Sequence, residues 1–128
     1  MILLGTNAFI WFVGDQDTLS EEVRVEIETN EHVFVSIATF WEMAIKRCKG
    51  LLELSNTITE LMDICGGLNI SILQINGAHL DVISQLPLIH KDPFDRLILC
   101  QAKVEGLTIV TADHIFSEYG VPVIKINK

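Results

Sequence analysis

An α/β domain, with a parallel sheet covered by helices on both faces, is the fold predicted for this 128-residue chain. Two observations predict it. Apolar runs of strand length recur along the chain, and between them lie stretches with helical spacing and helix-end residues. Parallel strands need crossovers of that kind, right-handed by the general rule. Composition agrees: 49% of residues are hydrophobic and 20% charged, which is globular rather than disordered. Residues 1–128 read as one domain, without internal repeat, low-complexity segment or linker.

Ile2–Leu4 opens the sheet as a short apolar run. Asn7 can cap the next helix, whose Ala8–Val13 content is almost wholly apolar; Gly14-Asp15 ends it. Thr18 and Glu21 have capping-box spacing ahead of an acidic helix, Glu21–Glu28. Val33–Ser36 reads as the second strand. Thr39 and Glu42 repeat the capping-box spacing before a helix with Phe40, Trp41, Ala44, Ile45 and Cys48 as apolar positions. Lys46, Arg47 and Lys49 gather in its last turn, where they complement the helix dipole. Ser55 or Thr57 opens a further helix to about Cys65, broken at Gly66-Gly67. Ile70–Leu73 is the third strand, and Ala78–Leu86 a helix stopped at Pro87. The stretch from Lys91 to Asp113 then contains an Asp92-Pro93 turn, a helix from about Phe94 to Glu105, a Gly106 stop and a strand Leu107–Thr111. Val121–Ile126 supplies the last strand.

Several function classes are disfavoured at once. The net charge of −8 has the wrong sign for a protein that binds nucleic acid by field alone. No stretch approaches the roughly 20 apolar residues of a membrane span, so no membrane association is expected. The first residues lack a basic segment and a cleavage site, so no signal peptide is read. Cys48, Cys65 and Cys100 are odd in number, form no CxxC, and fall on apolar helix sides, which fits reduced core thiols in a cytoplasmic protein. His32, His79, His90 and His114 have no ligand spacing and read as loop or surface residues, with His90 and Lys91 placed to approach a phosphate. Trp11 and Trp41 sit among apolar neighbours, as core or interface residues.

The acids carry the chemistry. Asp92, Asp95 and Asp113 fall at one end of one strand–helix unit, and α/β proteins place ligands at the C-terminal edge of the sheet. Singly, each has a structural reading: Asp92 and Asp113 as helix caps, Asp95 at a helix start, Glu42 in its capping box. Together they crowd. Carboxylates about 4 Å apart repel by roughly 4 kcal/mol per pair at an effective dielectric near 20, whereas a cap contributes about 1 kcal/mol. A bound cation would justify the crowding. An all-oxygen set suits Mg²⁺ or Mn²⁺ rather than zinc.

The segments LLGTNAFIW, VSIATFWEMAIKRCKGLLEL, LPLIHKDPFDRLILCQA and GLTIVTAD resemble the signature blocks of PIN-domain proteins, and within them VapC-type toxins of bacterial toxin–antitoxin pairs. The likeness runs from Ile2 to Val123. It implies a three-layer α/β/α PIN-like fold and a metal-dependent endoribonuclease acting on structured RNA, tRNA among the candidates. It also implies a homodimer and a cognate antitoxin that covers the active-site groove. By the same resemblance Glu42, Asp95 and Asp113 are the metal-binding and catalytic acids, with Asp92 an additional carboxylate. Thr6, Ser36 and Thr111 fall at supporting polar positions, and Lys46, Arg47 and Arg96 are candidate RNA contacts. The apolar helix with Phe9, Trp11 and Phe12, and the Leu51-Leu52 connector, also suggest a dimer surface.

One departure stands out. Where the family carries Asp directly after the first strand, this chain has Gly5, followed by the matching Thr6 and Asn7. Glycine offers no ligand side chain. An engineered or accidental loss, a naturally degenerate member, and a site surviving on the remaining acids are the three readings; a loss is favoured because the other blocks are intact. A non-catalytic PIN-like protein-binding module is the main alternative function. A receiver-like phosphorylation domain stands further back, since the first strand ends in Gly5 and the third in Leu73-Gln74-Ile75.

Overall fold

The computed structural model describes residues 1–14, 18–89 and 92–126. Five parallel strands form its sheet: β1 (Ile2–Leu4), β2 (Val33–Ser36), β3 (Ile70–Leu73), β4 (Thr108–Thr111) and β5 (Val123–Lys125), in the order β3-β2-β1-β4-β5. The strand order reverses beside β1, which pairs with β2 on one side and β4 on the other. The crevice beyond those strand ends is where such sheets bind ligands. A receiver-like order, with β1 between β2 and β3, is absent, which removes that alternative.

Alternation along the strands divides the core. Ile2, Leu4, Val33, Val35, Ile70 and Val110 point to one face, against α1 (Thr6–Val13), α2 (Glu21–Thr29), α3 (Ile37–Cys48) and α4 (Ile58–Gly67). Leu3 and Ile109 point to the other, against Ile98, Leu99 and Ala102 of α6 (Pro93–Glu105) and the 3₁₀ helix His114–Tyr119. Helices therefore cover both faces of the sheet, as expected.

Several helix starts differ from the sequence reading. Gly5, not Asn7, is the N-cap of α1. Ser20 caps α2 by accepting from the Val23 N–H, so the Thr18–Glu21 box does not form. Ser36 caps α3 by accepting from the Ala38 N–H at 3.0 Å, which starts that helix earlier and leaves Thr39 and Glu42 inside it. Thr57 rather than Ser55 opens α4, where it forms a capping box with Glu60. That helix continues through Gly67, and Asn69 (φ 60°) makes the left-handed turn beyond it. Helix α5 (Gly77–Ile83) stops short of Leu86, and the carbonyls of Ile83, Leu86 and Pro87 accept from the Arg96 guanidinium.

His79 is not a surface residue. Its ring is fully buried; Nδ1 accepts from the Asn76 N–H and Nε2 lies 2.9 Å from a Glu105 oxygen. Cys65 and Cys100 are core thiols as expected, but Cys48 is exposed, because the last turn of α3 runs out beyond the core. Burial raises the Cys65 thiol from 9.0 to about 11. A raised folded pKa keeps its stabilisation below the unfolded value and loses it as pH climbs through the folded one. Urea midpoints should therefore fall between about pH 9 and 11, and Cys65→Ala should flatten that fall.

Among the described residues no helix is long and apolar enough to cross a membrane.

Candidate active site

Two strand ends and two helix starts build a cavity of about 280 Å³ outside β1 and β4. Gly5, Thr6 and Asn7 come from the β1–α1 junction; Thr111, Ala112 and Asp113 follow β4; Glu42 and Lys46 come from α3, Asp92 and Asp95 from the start of α6. Phe116 completes an apolar wall with Ala112. The four candidate acids thus share one cavity with Gly5.

Glu42 is the acid held most firmly. It is 6% exposed; Oε1 accepts from the Thr6 hydroxyl at 2.8 Å, and Oε2 meets the Lys46 ammonium at 2.8 Å. Thr6 is itself 3.2 Å from the Thr39 hydroxyl. The capping role proposed for Glu42 does not occur, since its side chain turns inward from the middle of the helix. The Lys46 ammonium is held above the ordinary lysine range, chiefly by its hydrogen bond to Glu42; burial opposes this, while the charges of Glu42, Asp92 and Asp95 add to it.

The other acids keep structural duties. One Asp92 oxygen accepts from the Phe94 and Asp95 N–H groups at 2.9 and 3.1 Å, with Pro93 in the first helical turn. Asp92→Ala should therefore destabilise the chain by about 1 kcal/mol in chemical denaturation. Asp113 caps the 3₁₀ helix through the Ile115 N–H, and its own N–H donates to Thr111 Oγ1. Trp41 and Phe94, each one residue before a candidate acid, meet edge-to-face at 4.9 Å and tie α3 to α6.

Other expected residues fall elsewhere. Ser36 is fully buried as a helix cap and lies outside the cavity lining. Arg47 donates to the Leu54 carbonyl at 2.7 Å and Arg96 to the three carbonyls after α5, so both guanidinium groups brace loops rather than face the cavity. Trp41 is 58% exposed, which removes the core reading for it. His90, Lys91 and the His114 side chain lie outside the described residues. From the sequence, Asn7 and Thr39 read as capping residues rather than parts of this site, and Lys46 is not paired with Glu42. Thr39, Glu42 and Lys46 stand three and four apart, so helical spacing alone puts them on one stripe.

The donor chemistry suits a hard cation: carboxylates and hydroxyls, with no sulfur or imidazole among the described residues that line the cavity. The arrangement does not complete that fit. Among the described residues no group of three or more Asp, Glu, His or Cys side chains converges as a ligand set. Gly5 offers no side chain, and an ammonium rests on Glu42.

A PIN-domain family model matches residues 2–122, nearly the whole chain. The chain belongs to the PIN-domain family. No curated protein sequence matches it. Its PIN fold is shared with a chain of the promoter-bound VapBC2 complex of Rickettsia felis, at TM-score 0.73, 18% identity and 98% coverage of both chains. It is also similar to FitAcB of Neisseria gonorrhoeae, at TM-score 0.67, 23% identity and 97% and 96% coverage. A toxin–antitoxin complex from Klebsiella pneumoniae gives TM-score 0.65 at 18% identity, covering 97% and 96%. At such identities these structures speak for the PIN fold alone.

Proposed function

We propose that this PIN domain is the toxin of a toxin–antitoxin pair, an endoribonuclease for structured RNA whose activity is impaired by Gly5. The observation that carries the reading is the cavity in which Glu42, Asp92, Asp95 and Asp113 meet Gly5 at the C-terminal edge of β1 and β4. The toxin–antitoxin complexes that share the fold support the biological half of it. A cytoplasmic homodimer paired with an antitoxin protein follows from the same likeness. Phe9, however, is wholly buried and contributes nothing to such a surface; Leu51 and Trp41, 72% and 58% exposed, are among the large apolar residues available.

The chain's own groups have assignable work. Thr6, backed by Thr39, fixes the orientation of Glu42, while Thr111 holds the turn that presents Asp113. Ala112 and Phe116 keep one wall dry, which strengthens electrostatic interactions beside it. Lys46 brings the positive charge that a phosphodiester would meet. Mg²⁺ or Mn²⁺ is the cofactor this donor set suits, on Glu42, Asp95 and Asp113; when bound, such an ion supplies water activation and charge stabilisation at phosphate. Because these acids do not converge as they stand, we expect low affinity and slow cleavage.

The test is cleavage of a labelled structured RNA, tRNA included, with Mg²⁺ or Mn²⁺. Weak cleavage that disappears with EDTA and with Asp95→Asn supports the reading. Complete inactivity in the chain and in its Gly5→Asp variant, with retained binding to an antitoxin, would favour the non-catalytic binding module. Gly5 and the absence of a converged acid set among the described residues are what keep that second reading alive.

A further inference from the structure

The donor types in the cavity suit a divalent ion, yet no three of the described acids converge on one point. Lys46 already occupies one of these carboxylates. Its Nζ lies 2.8 Å from Glu42 Oε2, so a divalent ion on that oxygen would sit against the positive charge of the ammonium. The other Glu42 oxygen accepts from the Thr6 hydroxyl, so each oxygen of this carboxylate already has one partner. Around the same cavity stand Asp92, Asp95 and Asp113, and among the described residues Lys46 is the lysine or arginine on its wall.

We propose that the Lys46 ammonium stands in for the divalent ion at Glu42, so that a metal enters only by displacing it. This rests on the reading of the cavity as a metal-dependent site. The geometry permits the exchange. The Lys46 side chain is 40% exposed while that of Glu42 is 8% exposed, so the lysine head has solvent to move into and the glutamate does not. Thr6 and Thr39 hold Glu42 from the far side and would keep it aimed once the ammonium leaves. Gly5 shifts the competition toward Lys46. A carboxylate there would add negative charge on the β1 side of the cavity, and a dication gains more from it than a monocation does.

An ordinary helix-surface ion pair four residues apart would behave differently. Removing such a pair lowers stability equally with and without metal. Under the exchange, removing the lysine leaves Glu42 short of a partner that Mn²⁺ can replace.

The experiment titrates Mn²⁺ into the chain, following free Mn²⁺ by electron paramagnetic resonance and unfolding by calorimetry. The variants are Lys46→Met, Lys46→Gln, Gly5→Asp and the double variant Gly5→Asp/Lys46→Met. Lys46→Met should bind Mn²⁺ about tenfold more tightly than the parent chain. Its Tm should be lowered without Mn²⁺ and recovered with it. Lys46→Gln keeps a hydrogen-bond donor for Glu42 without the charge, so it should fold like the parent and still show the tighter binding. If Gly5→Asp binds Mn²⁺ but neither lysine change tightens binding in either background, the stand-in is overturned and the metal site survives. If no variant binds Mn²⁺, the functional reading falls and takes this inference with it.

Discussion

Gly5→Asp is expected to raise cleavage of structured RNA by about ten- to a hundredfold, the scale on which losing a supporting group weakens metal sites. The backbone is ready for the change. Gly5 sits at φ −67° and ψ 166°, extended geometry open to any residue, with its N–H bonded to the Val110 carbonyl at 2.8 Å. Space is tighter. A Cβ there would lie 3.0 Å from the Val110 oxygen and 3.5 Å from Thr111 Cβ, so the end of β4 must yield by a few tenths of an ångström. That adjustment should destabilise by roughly 1 kcal/mol, and Gly5→Ala should show the same destabilisation without the activity. The gain should vanish when Asp95→Asn is added, and expression without an antitoxin should become toxic. A Gly5→Asp chain that folds, binds Mn²⁺ and still cuts no RNA would remove the nuclease reading.

Phe9→Ala should have the largest effect on stability, about 3–5 kcal/mol, measured by urea unfolding. Phe9 is fully buried on α1, directly after the β1 end, and meets Phe40 of α3 edge-to-face at 5.3 Å. Truncation removes the transfer energy of the ring and leaves a void between two helices that the sheet holds in place. The same helices deliver Thr6 and Glu42, so the Thr6–Glu42 hydrogen bond should loosen with the packing. A change below about 1.5 kcal/mol would mean that the helices close over the gap.

The strands were legible because each is a short apolar run bounded by turn or helix signals, and a strand with both faces covered leaves just that trace. The cavity was legible in part. Asp92, Asp95 and Asp113 cluster along the chain, and topology brings Glu42 to them. What escaped was the distinction between a cap and an inward acid. Thr39 and Glu42 have capping-box spacing, but Ser36 begins the helix first, since any short hydroxyl at a strand end competes for that role. Lys46 read as a dipole partner because its position in the last turn satisfies that rule equally well. Arg96 escaped for another reason: the carbonyls it binds are set by where α5 stops, which helix propensity does not determine.

Strand β1 fixes how Gly5 is held at its end. Its three residues serve opposite cores, Ile2 and Leu4 on one side and Leu3 on the other, and all three are at most 2% exposed. A slip of one residue would swap every one of these side chains across the sheet. The strand is therefore locked in register against both β2 and β4 at once. Thr6 cannot slide back to serve in place of the missing carboxylate, nor can Leu4 advance. On the proposed reading, position 5 is anchored by a strand held on both sides, and a side chain restored there is what would complete the site.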